Sequence, residues 1–256
     1  VVRNSDLAFL IDCGMTIKET TRRLNDLAMA PEDLAGIVVT HEHGDHLSGV
    51  APFARRYQLP VWMTHGTWRR ARDKRFPEVN YFSAAQPFSI GSFLLRPFAV
   101  PHDAAEACQL MISHGDLNLA VLTDLGAVTP HVIESIQGAN GLILECNHDE
   151  EMLRDGPYPP PLQARVGGAY GHLSNRQAAS LIRDIDTNAL EFILLAHLSE
   201  RNNTPDLALE AIAAELPDGV ARLRVLAAET CSVWFRVNGQ PSVQQEKSDQ
   251  SLSLST

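Results

Sequence analysis

The chain has 256 residues, of which 45% are hydrophobic and 20% charged, which suits one large globular domain with a sizeable core. Its 31 acidic and 21 basic residues give a net charge of −10, which excludes a surface that attracts nucleic acid or anionic membrane over its whole area. Without an apolar run of about 18 residues, a signal peptide or a CxxC pair among its four cysteines, the sequence predicts a cytoplasmic protein with reduced thiols and no membrane partner.

Strand and helix patterns alternate along the chain. Short apolar runs predict strands at 7–12, 36–40, 59–64, 118–124, 141–147 and 192–198. Helical patterns lie at 16–29, 129–138, 174–185 and 205–216. The first helix opens on Thr16 and Glu19, which have the spacing of a capping box. Two apolar runs around His-Gly-Asp predict a β-hairpin at 109–122, so part of the sheet is expected to be antiparallel. This order indicates an α/β or α+β fold with mixed sheets.

Two segments are predicted to lack regular structure. Residues 155–172 carry four prolines and four glycines and are expected to form a long loop of the kind that makes lids or binding segments. Residues 240–256 are polar and rich in serine and glutamine, which is typical of a disordered tail. A single domain is therefore expected over 1–239.

The strongest chemical signal is the stretch THEHGDH at 40–46, directly after an apolar strand. His41 and His43 are two residues apart, so on an extended backbone they project to the same side and can bind one metal ion. Asp45 and His46 follow at a predicted helix start and can face a second ion. Nitrogen and oxygen donors of this kind suit zinc and also accept iron or manganese. Glu42 alternates away from the two histidines.

Further candidate ligands stand at the ends of later apolar runs. His102 ends FAVPHD, Asp124 follows AVLT, and His197 ends FILLAH. A buried carboxylate such as Asp124 needs a cation or hydrogen-bond donors nearby, because an isolated buried charge is costly. Together with the residues at 41–46, these positions predict a site for two divalent metal ions.

On these residues the chain resembles the metallo-β-lactamase superfamily, from FLIDCG to AHLSE. The resemblance implies a four-layer αββα sandwich in which mixed sheets carry helices on their outer faces. It also implies a ligand set: His41, His43 and His102 for the first ion, Asp45, His46 and His197 for the second, and Asp124 bridging both. The early strand-end aspartate of the family is matched by Asp12, which is expected to support the ligands at 41–46 from behind.

The pieces VPHDAAEA, LTDLG, LECNHDEEML and GHLSNRQAA are most similar to the YycJ/WalJ subgroup, with tRNase Z and cyclic-phosphate phosphodiesterases as relatives. The resemblance implies an exodeoxyribonuclease-like phosphodiesterase that acts on nucleic acid or a small phosphodiester, with a hydroxide between the two ions as nucleophile. His172 matches the proton-carrying histidine of those relatives, and the expected catalytic residues are His172 and Asp45. His148 is expected to support the site without taking part in catalysis. The usual amino-terminal strand is not recognised. The RNA-binding arm of tRNase Z is not recognised either, which weakens an assignment to tRNA processing.

Several readings stay open at this point. The basic segment 67–75, with Arg55 and Arg56, would contact phosphates or would be an ordinary solvated helix face. Trp62 and Trp68 would stack on bases or pack in the core. The same centre would also hydrolyse a carbonyl compound such as a thioester, a lactone or, less expected, a β-lactam. A non-catalytic metal-binding module is the third alternative, although a structural site is normally closed by four ligands around one ion.

Overall fold

The computed structural model describes residues 1–216, 219–226 and 231–239. Their strands are β1 (Val2–Arg3), β2 (Ala8–Ile11), β3 (Leu34–Val38), β4 (Pro60–Met63), β5 (Glu78–Tyr81), β6 (Phe88–Ile90), β7 (Phe93–Ala99), β8 (Cys108–His114), β9 (Leu117–Leu122), β10 (Gly141–Glu145), β11 (Phe192–Ala196) and β12 (Leu223–Val225). Their helices are α1 (Ile17–Asp26), α2 (Gly44–Leu47), α3 (Val50–Tyr57), α4 (His65–Arg70), α5 (Pro130–Ser135), α6 (Glu150–Asp155), α7 (Pro160–Val166), α8 (Asn175–Asp184) and α9 (Pro205–Ala213). The predicted tail at 240–256 lies outside the described residues.

The strands form two mixed sheets. The first has five strands in the order β1-β2-β3-β4-β5, and only β1 runs antiparallel to its neighbour. The second has seven strands in the order β12-β11-β10-β9-β8-β7-β6, parallel from β12 to β9 and antiparallel from β9 to β6. The pair β8 and β9 is the predicted hairpin, with Leu110 opposite Val121. The expectation of mixed sheets is confirmed.

Three apolar layers hold the sheets and helices together. Ile37 and Val38 are neighbours on β3 and both are fully buried, yet they belong to different layers because side chains alternate across a strand. Ile37 packs with Phe53 of α3 on the outer face of the first sheet, whereas Val38 packs with Leu110 between the sheets. Leu181 of α8 belongs to the third layer, on the outer face of the second sheet. Helix, sheet, sheet and helix thus form the predicted four-layer αββα sandwich.

The structure differs from the sequence prediction at residues 155–172 and at the amino-terminal strand. The predicted loop at 155–172 contains helix α7, whose first residue is Pro160 and whose C-cap is Gly167. The fixed φ of proline suits the first turn of a helix, so this proline cluster starts a helix and does not exclude one. A short amino-terminal strand is also present, because Val2 pairs with Phe9. No helix in the described part of the chain is long and apolar enough to cross a membrane.

Candidate metal centre

The loops that follow β3 and β7 bring the first three candidate ligands together. One ring nitrogen each of His41, His43 and His102 lies within 4.8 Å of the others. Their rings lie 4.6 to 4.9 Å apart between centroids, mostly edge to face. His41 is fully buried and His102 is 5% exposed, so water does not compete freely for these nitrogens. This group is called the first triad below.

The second group combines helix α2 with the loop after β11. Asp45 Oδ2 lies 3.4 Å from His46 Nε2 and 3.6 Å from His197 Nε2. Helix α2 begins at Gly44, so Asp45 and His46 lie on its first turn, as the sequence predicted. Asp45 is the exposed member, with 64% of its side chain accessible. Asp45, His46 and His197 are called the second triad.

Asp124 lies between the two triads. Its Oδ2 is 3.2 Å from His46 Nε2, and its Oδ1 is 3.9 Å from His102 Nε2. The residue is 1% exposed. Its position after β9 places one carboxylate within reach of both groups, which is the arrangement that a bridging ligand requires.

The ring tautomers are set by contacts outside the cluster. Four histidines use Nδ1 to bond away from the site: His41 to Thr40 Oγ1, His46 to Asp12, His102 to the Gly171 carbonyl and His197 to Glu145, at 2.8 to 3.0 Å. His43 is oriented the other way, because its Nε2 donates to the Asp103 carbonyl at 3.2 Å. Each ring therefore directs its other nitrogen into the cluster, where His102 Nε2 and His43 Nδ1 lie 3.1 Å apart, and this is how metal-binding histidines are ordinarily held.

Three atoms in this cluster test whether the residues suit a metal. His41 Nε2, His46 Nε2 and Asp124 Oδ2 are buried and have no hydrogen-bond partner among the described residues. Leaving such an atom unpaired costs about 1 to 3 kcal/mol each, and more for a charged group. Imidazole nitrogens and carboxylate oxygens are the donors that zinc and similar divalent ions accept. The residues present therefore fit a metal centre.

The pKa values of the histidines differ between the two triads. In the first triad, burial and the neighbouring histidines lower the pKa of His41 far below its usual range, and burial lowers that of His102 to about 4. In the second triad, burial disfavours the charged rings, but nearby carboxylates outweigh it and raise the pKa of His46 to about 11 and of His197 to about 10. Burial raises the pKa of Asp124 to about 6. His41 and His102 are thus neutral ligands, whereas His46 and His197 hold protons where a cation would bind.

Asp12 supports both triads through hydrogen bonds. Its carboxylate accepts from His46 Nδ1, from the Thr40 hydroxyl and from the Thr40 backbone N–H, each at 2.8 Å. Its φ of +57° is in the left-handed region, which aspartate tolerates better than most residues. At Gly14 the chain passes so close to α2 that a Cβ would lie 1.7 Å from the Asp45 carbonyl oxygen. The loop after β2 is thereby packed directly behind the candidate ligands.

Glu145 is the residue that the sequence interpretation missed. It is fully buried at the end of β10. Its Oε1 accepts from His172 Nδ1 and His197 Nδ1 at 2.8 Å each, and its Oε2 accepts the backbone N–H groups of Leu125 and Leu173 at 3.1 Å. Burial alone would raise its pKa, but the bonds from the two histidines lower it to about 2. Glu145 ends an apolar strand, so the reasoning that selected Asp124 would have selected it too.

His172 lies beside the cluster and His148 lies behind it. The His172 ring is 5.2 Å from the rings of both His102 and His197, and 22% of its side chain is exposed. Since Nδ1 donates to Glu145, its Nε2 is the nitrogen left for other contacts. His148 is buried, its Nδ1 has no partner among the described residues, and it forms a β-bridge with Ser174. His148 thereby connects the end of β10 to the segment that carries His172.

The remaining candidates lie away from the cluster. Glu42 turns out of it and accepts the N–H of Ala105. Trp62 and Trp68 are half-buried and pack against core layers. In the basic segment 67–75, Lys74 Nζ lies over the Trp68 ring. Core packing, one of the two alternatives for these tryptophans, therefore accounts for their contacts.

A cleft of about 580 Å³ opens over the second triad. Its lining includes Asp45, Asp124, His172, His197, Tyr158, Leu162, Arg165, Val166, Leu198 and Arg201. Helix α7 and the loop after β11 both contribute to the lining of the cleft. A substrate in this cleft would lie directly against the candidate ligands and His172.

Comparison with known proteins agrees with this geometry. Residues 8–197 match the β-lactamase superfamily domain. The chain belongs to this superfamily. It is 34% identical over 225 residues to exodeoxyribonuclease YycJ of Bacillus anthracis, covering 85% of this chain and 84% of the relative. It is 32% identical over 214 residues to exodeoxyribonuclease WalJ of Streptococcus pneumoniae, covering 81% and 79%.

The fold of this superfamily member also matches solved structures. The metallo-β-lactamase fold protein YhfI from Bacillus subtilis superposes with a TM-score of 0.68 at 18% identity, covering 88% of this chain and 86% of that one. The predicted superfamily, subgroup resemblance and sandwich architecture are confirmed.

Proposed function

We propose that this protein is a metal-dependent phosphodiesterase of the exodeoxyribonuclease type. The observation that carries the proposal is the convergence of unpaired buried donors from His41, His46 and Asp124 on one cluster, with His172 beside it. The YycJ and WalJ relatives are named exodeoxyribonucleases, which supports DNA as the substrate. Two divalent ions are the proposed cofactors, with zinc first and manganese or iron as alternatives.

The proposed ligands follow the two triads. The first ion would be held by His41, His43 and His102, the second by Asp45, His46 and His197, with Asp124 shared. When bound, the ions would supply an activated water and would offset the negative charge of the phosphodiester. Asp12 would hold the His46 and Thr40 groups in place, because outer hydrogen bonds of this kind orient metal-binding rings.

His172 is proposed to handle the proton of the leaving group. The leaving alkoxide needs a proton when the ester bond breaks, and a histidine within reach of that oxygen can supply it. Because His172 Nδ1 donates to Glu145, the ring offers Nε2 toward the cleft. Glu145 would position the ring. Asp45, which is exposed and lines the cleft, is proposed to accept a hydrogen bond from the attacking water.

The proposal also covers the compartment and the domain organisation of the protein. We place the enzyme in the cytoplasm, because Cys13, Cys108 and Cys146 are buried free thiols and Cys231 is also unpaired. Residues 1–239 are proposed to form one domain.

The test is metal analysis of the purified protein combined with a substrate panel. The panel contains 5′-phosphorylated single- and double-stranded DNA, a generic aryl phosphodiester, a glutathione thioester and a lactone. We expect about two transition-metal ions per chain and hydrolysis of the phosphodiesters. Activity confined to the acyl substrates would overturn the phosphodiesterase proposal, and failure to bind any divalent transition metal would overturn the enzymatic one.

A further inference from the structure

Helix α7 contributes to the cleft but has no buried residue. It is seven residues long, and helices of this length are marginally stable on their own in water. A surface helix is ordinarily held by an apolar face that packs on the core. The position of α7 therefore depends on specific polar contacts, and one of these is the ion pair between Arg165 and Asp103.

The loop after β7, which carries His102, is bonded to α7 and to the turn that follows this helix. Arg165 Nε donates to Asp103 Oδ2. The backbone N–H of Asp103 donates to the Tyr170 carbonyl at 2.9 Å. His102 Nδ1 donates to the Gly171 carbonyl at 2.9 Å. These three bonds join a loop that carries a candidate ligand to a helix that the core does not hold.

Gly171 connects the position of α7 to the ring of His102. A Cβ at this glycine would lie 2.2 Å from the carbonyl oxygens of Arg165 and Val166, so the glycine backbone packs directly on the last turn of the helix. The same glycine supplies the carbonyl that accepts the bond from His102 Nδ1. A shift of the last turn would therefore move the group that orients the His102 ring.

Asp103 connects the same helix to His43. Its backbone carbonyl accepts the bond from His43 Nε2 at 3.2 Å, while its Oδ2 is bound by Arg165. Its other oxygen, Oδ1, lies 3.7 Å from His102 Nε2. A carboxylate that turned further toward this nitrogen would favour a proton on it, because charged acceptors form the stronger hydrogen bonds. A metal needs the same nitrogen unprotonated, so the bond from Arg165 to Oδ2 keeps a competitor in place.

We propose that Arg165 is a positioning residue for the first triad. By pairing with Asp103 it fixes α7 on the loop after β7, and it thereby holds His43 and His102 in the orientation that binds a metal ion. The inference rests on the metal centre of the proposed function and adds to it a residue outside the ligand set. Because coupling between two sites is reciprocal, a metal ion at the first triad should also hold α7 in its place beside the cleft.

The ion pair is too exposed to add much to the stability of the whole fold. The side chains of Arg165 and Asp103 are 60% and 30% exposed, and surface pairs of this kind contribute little to the free energy of unfolding. Local opening of a segment without buried residues requires much less free energy than global unfolding. Metal affinity should therefore respond to the loss of the pair, whereas the Tm of the metal-free protein should not.

The test compares zinc binding by the wild type, Arg165→Ala and Arg165→Lys in competition with a chelator of known affinity. We expect Arg165→Ala to weaken one of the two zinc-binding steps about 3- to 10-fold. This is less than the roughly 10- to 100-fold loss usual for a direct partner of a ligand, because Arg165 acts through Asp103. Arg165→Lys retains the charge but not the planar guanidinium, so it should recover part of the affinity.

Matched variants test whether the effect passes through the ion pair. Arg154→Ala is the control, because Arg154 of α6 is equally exposed and pairs with Asp155 at 2.8 Å; both zinc-binding steps should stay at wild-type affinity. Asp103→Ala keeps the backbone carbonyl and removes the carboxylate, so Arg165→Ala should have no further effect in that background. In His197→Ala, which keeps the first triad whole, Arg165→Ala should weaken zinc binding by the same factor as in the wild type.

Hydrogen exchange of the backbone measures the reciprocal effect. We expect zinc to slow the exchange of the N–H groups at 162–171 in the wild type and in Arg154→Ala, because the metal fixes the loop to which this segment is bonded. The slowing should be smaller in Arg165→Ala. A residue that served only the stability of the fold would not change the response of this segment to zinc.

The outcomes separate this inference from the function on which it rests. If the wild type binds no divalent transition metal, the proposed metal centre fails and the role of Arg165 fails with it. If the wild type binds zinc and Arg165→Ala binds it as tightly as Arg154→Ala does, the role of Arg165 is overturned and the metal centre stands. A loss of affinity that persists in the Asp103→Ala background would also overturn it, because the effect would then not depend on the ion pair.

Discussion

A single buried carboxylate, Glu145, holds two histidines that have different proposed tasks. His197 is a proposed ligand, and His172 is the proposed proton carrier, yet both donate Nδ1 to the same Oε1 atom. The backbone N–H groups of Leu125 and Leu173 fix the other oxygen. The carboxylate therefore has no freedom to follow one ring without moving the other, which couples ligand geometry to proton transfer.

At this scale, replacement of His172 separates catalysis from metal binding. His172→Ala is expected to lower kcat about 10²- to 10⁴-fold, the usual contribution of a positioned proton donor, while the bound metal stays at the wild-type amount. Glu145→Gln should lower kcat as well, and the double variant should be no worse than the more damaged single one, because the two residues act as a unit. Loss of metal from His172→Ala would instead make His172 a ligand.

The number of protons released on metal binding depends on the pKa values of individual histidines. Nearby carboxylates raise the pKa of His46 to about 11 and that of His197 to about 10, so both rings hold protons at pH 8 in the metal-free protein. Burial keeps the pKa of His102 low, so its ring is already neutral. Binding at the second triad must expel protons and should strengthen as the pH rises from 7 to 9, whereas binding at the first triad should change little.

Calorimetry of metal binding in buffers with different ionisation enthalpies measures this release directly. We expect up to two protons to leave when the second ion binds, from His46 and His197. A titration at pH 8 that releases no protons for either ion would contradict the assigned charge states. His197→Ala serves as the matched variant, because it should remove one of the released protons together with one proposed ligand of the second triad.

At the scale of elements, the cap of helix α8 connects stability to the site. Ser174 caps the helix, its hydroxyl accepting the N–H of Gln177 and its own N–H bonding the Gln177 side chain. The capping box lies two residues after His172 and one after Leu173, whose N–H binds Glu145. We therefore expect the first turn of α8 to keep His172 and Glu145 in register.

Ser174→Ala should lower the free energy of unfolding by about 1 kcal/mol, the usual value of an N-cap, and should also reduce kcat. Thr129→Ala is the control, because Thr129 caps α5 in the same way, its hydroxyl accepting the N–H of Val132, and it makes no contact with Glu145. Denaturation and steady-state kinetics of the pair check the idea. An equal effect of both variants on kcat would show that the cap acts through stability alone.

At the scale of the whole molecule, loops from both sheets contribute to the candidate metal centre. Loops after β2, β3, β7, β9 and β11 converge there, and the unpaired atoms of His41, His46 and Asp124 are a cost of the metal-free state. At 1,000 times the dissociation constant, metal should stabilise the fold by about 4 kcal/mol. For a domain of this size that corresponds to a rise in Tm of about 8 to 16 °C.

Thermal unfolding with zinc and with a chelator measures this effect, and one domain over 1–239 predicts a single transition in both cases. Asp124→Asn should abolish the metal-dependent rise. A normal metal-dependent rise in Asp124→Asn would remove this residue from the proposed ligand set.

The sequence by itself determined which candidate ligands stand at strand ends, its family resemblance predicted the sandwich, and the tertiary structure decided how the candidate ligands are held. His41, His43 and His46 were readable because ligand spacing and strand alternation are local, and Asp124 because a carboxylate at the end of an apolar strand is conspicuous. The shared bond of Glu145 joins residues 27 and 52 positions apart, and the ion pair of Arg165 with Asp103 joins residues 62 positions apart. These contacts arise from packing between segments that are distant in the sequence, so no local sequence pattern predicts them.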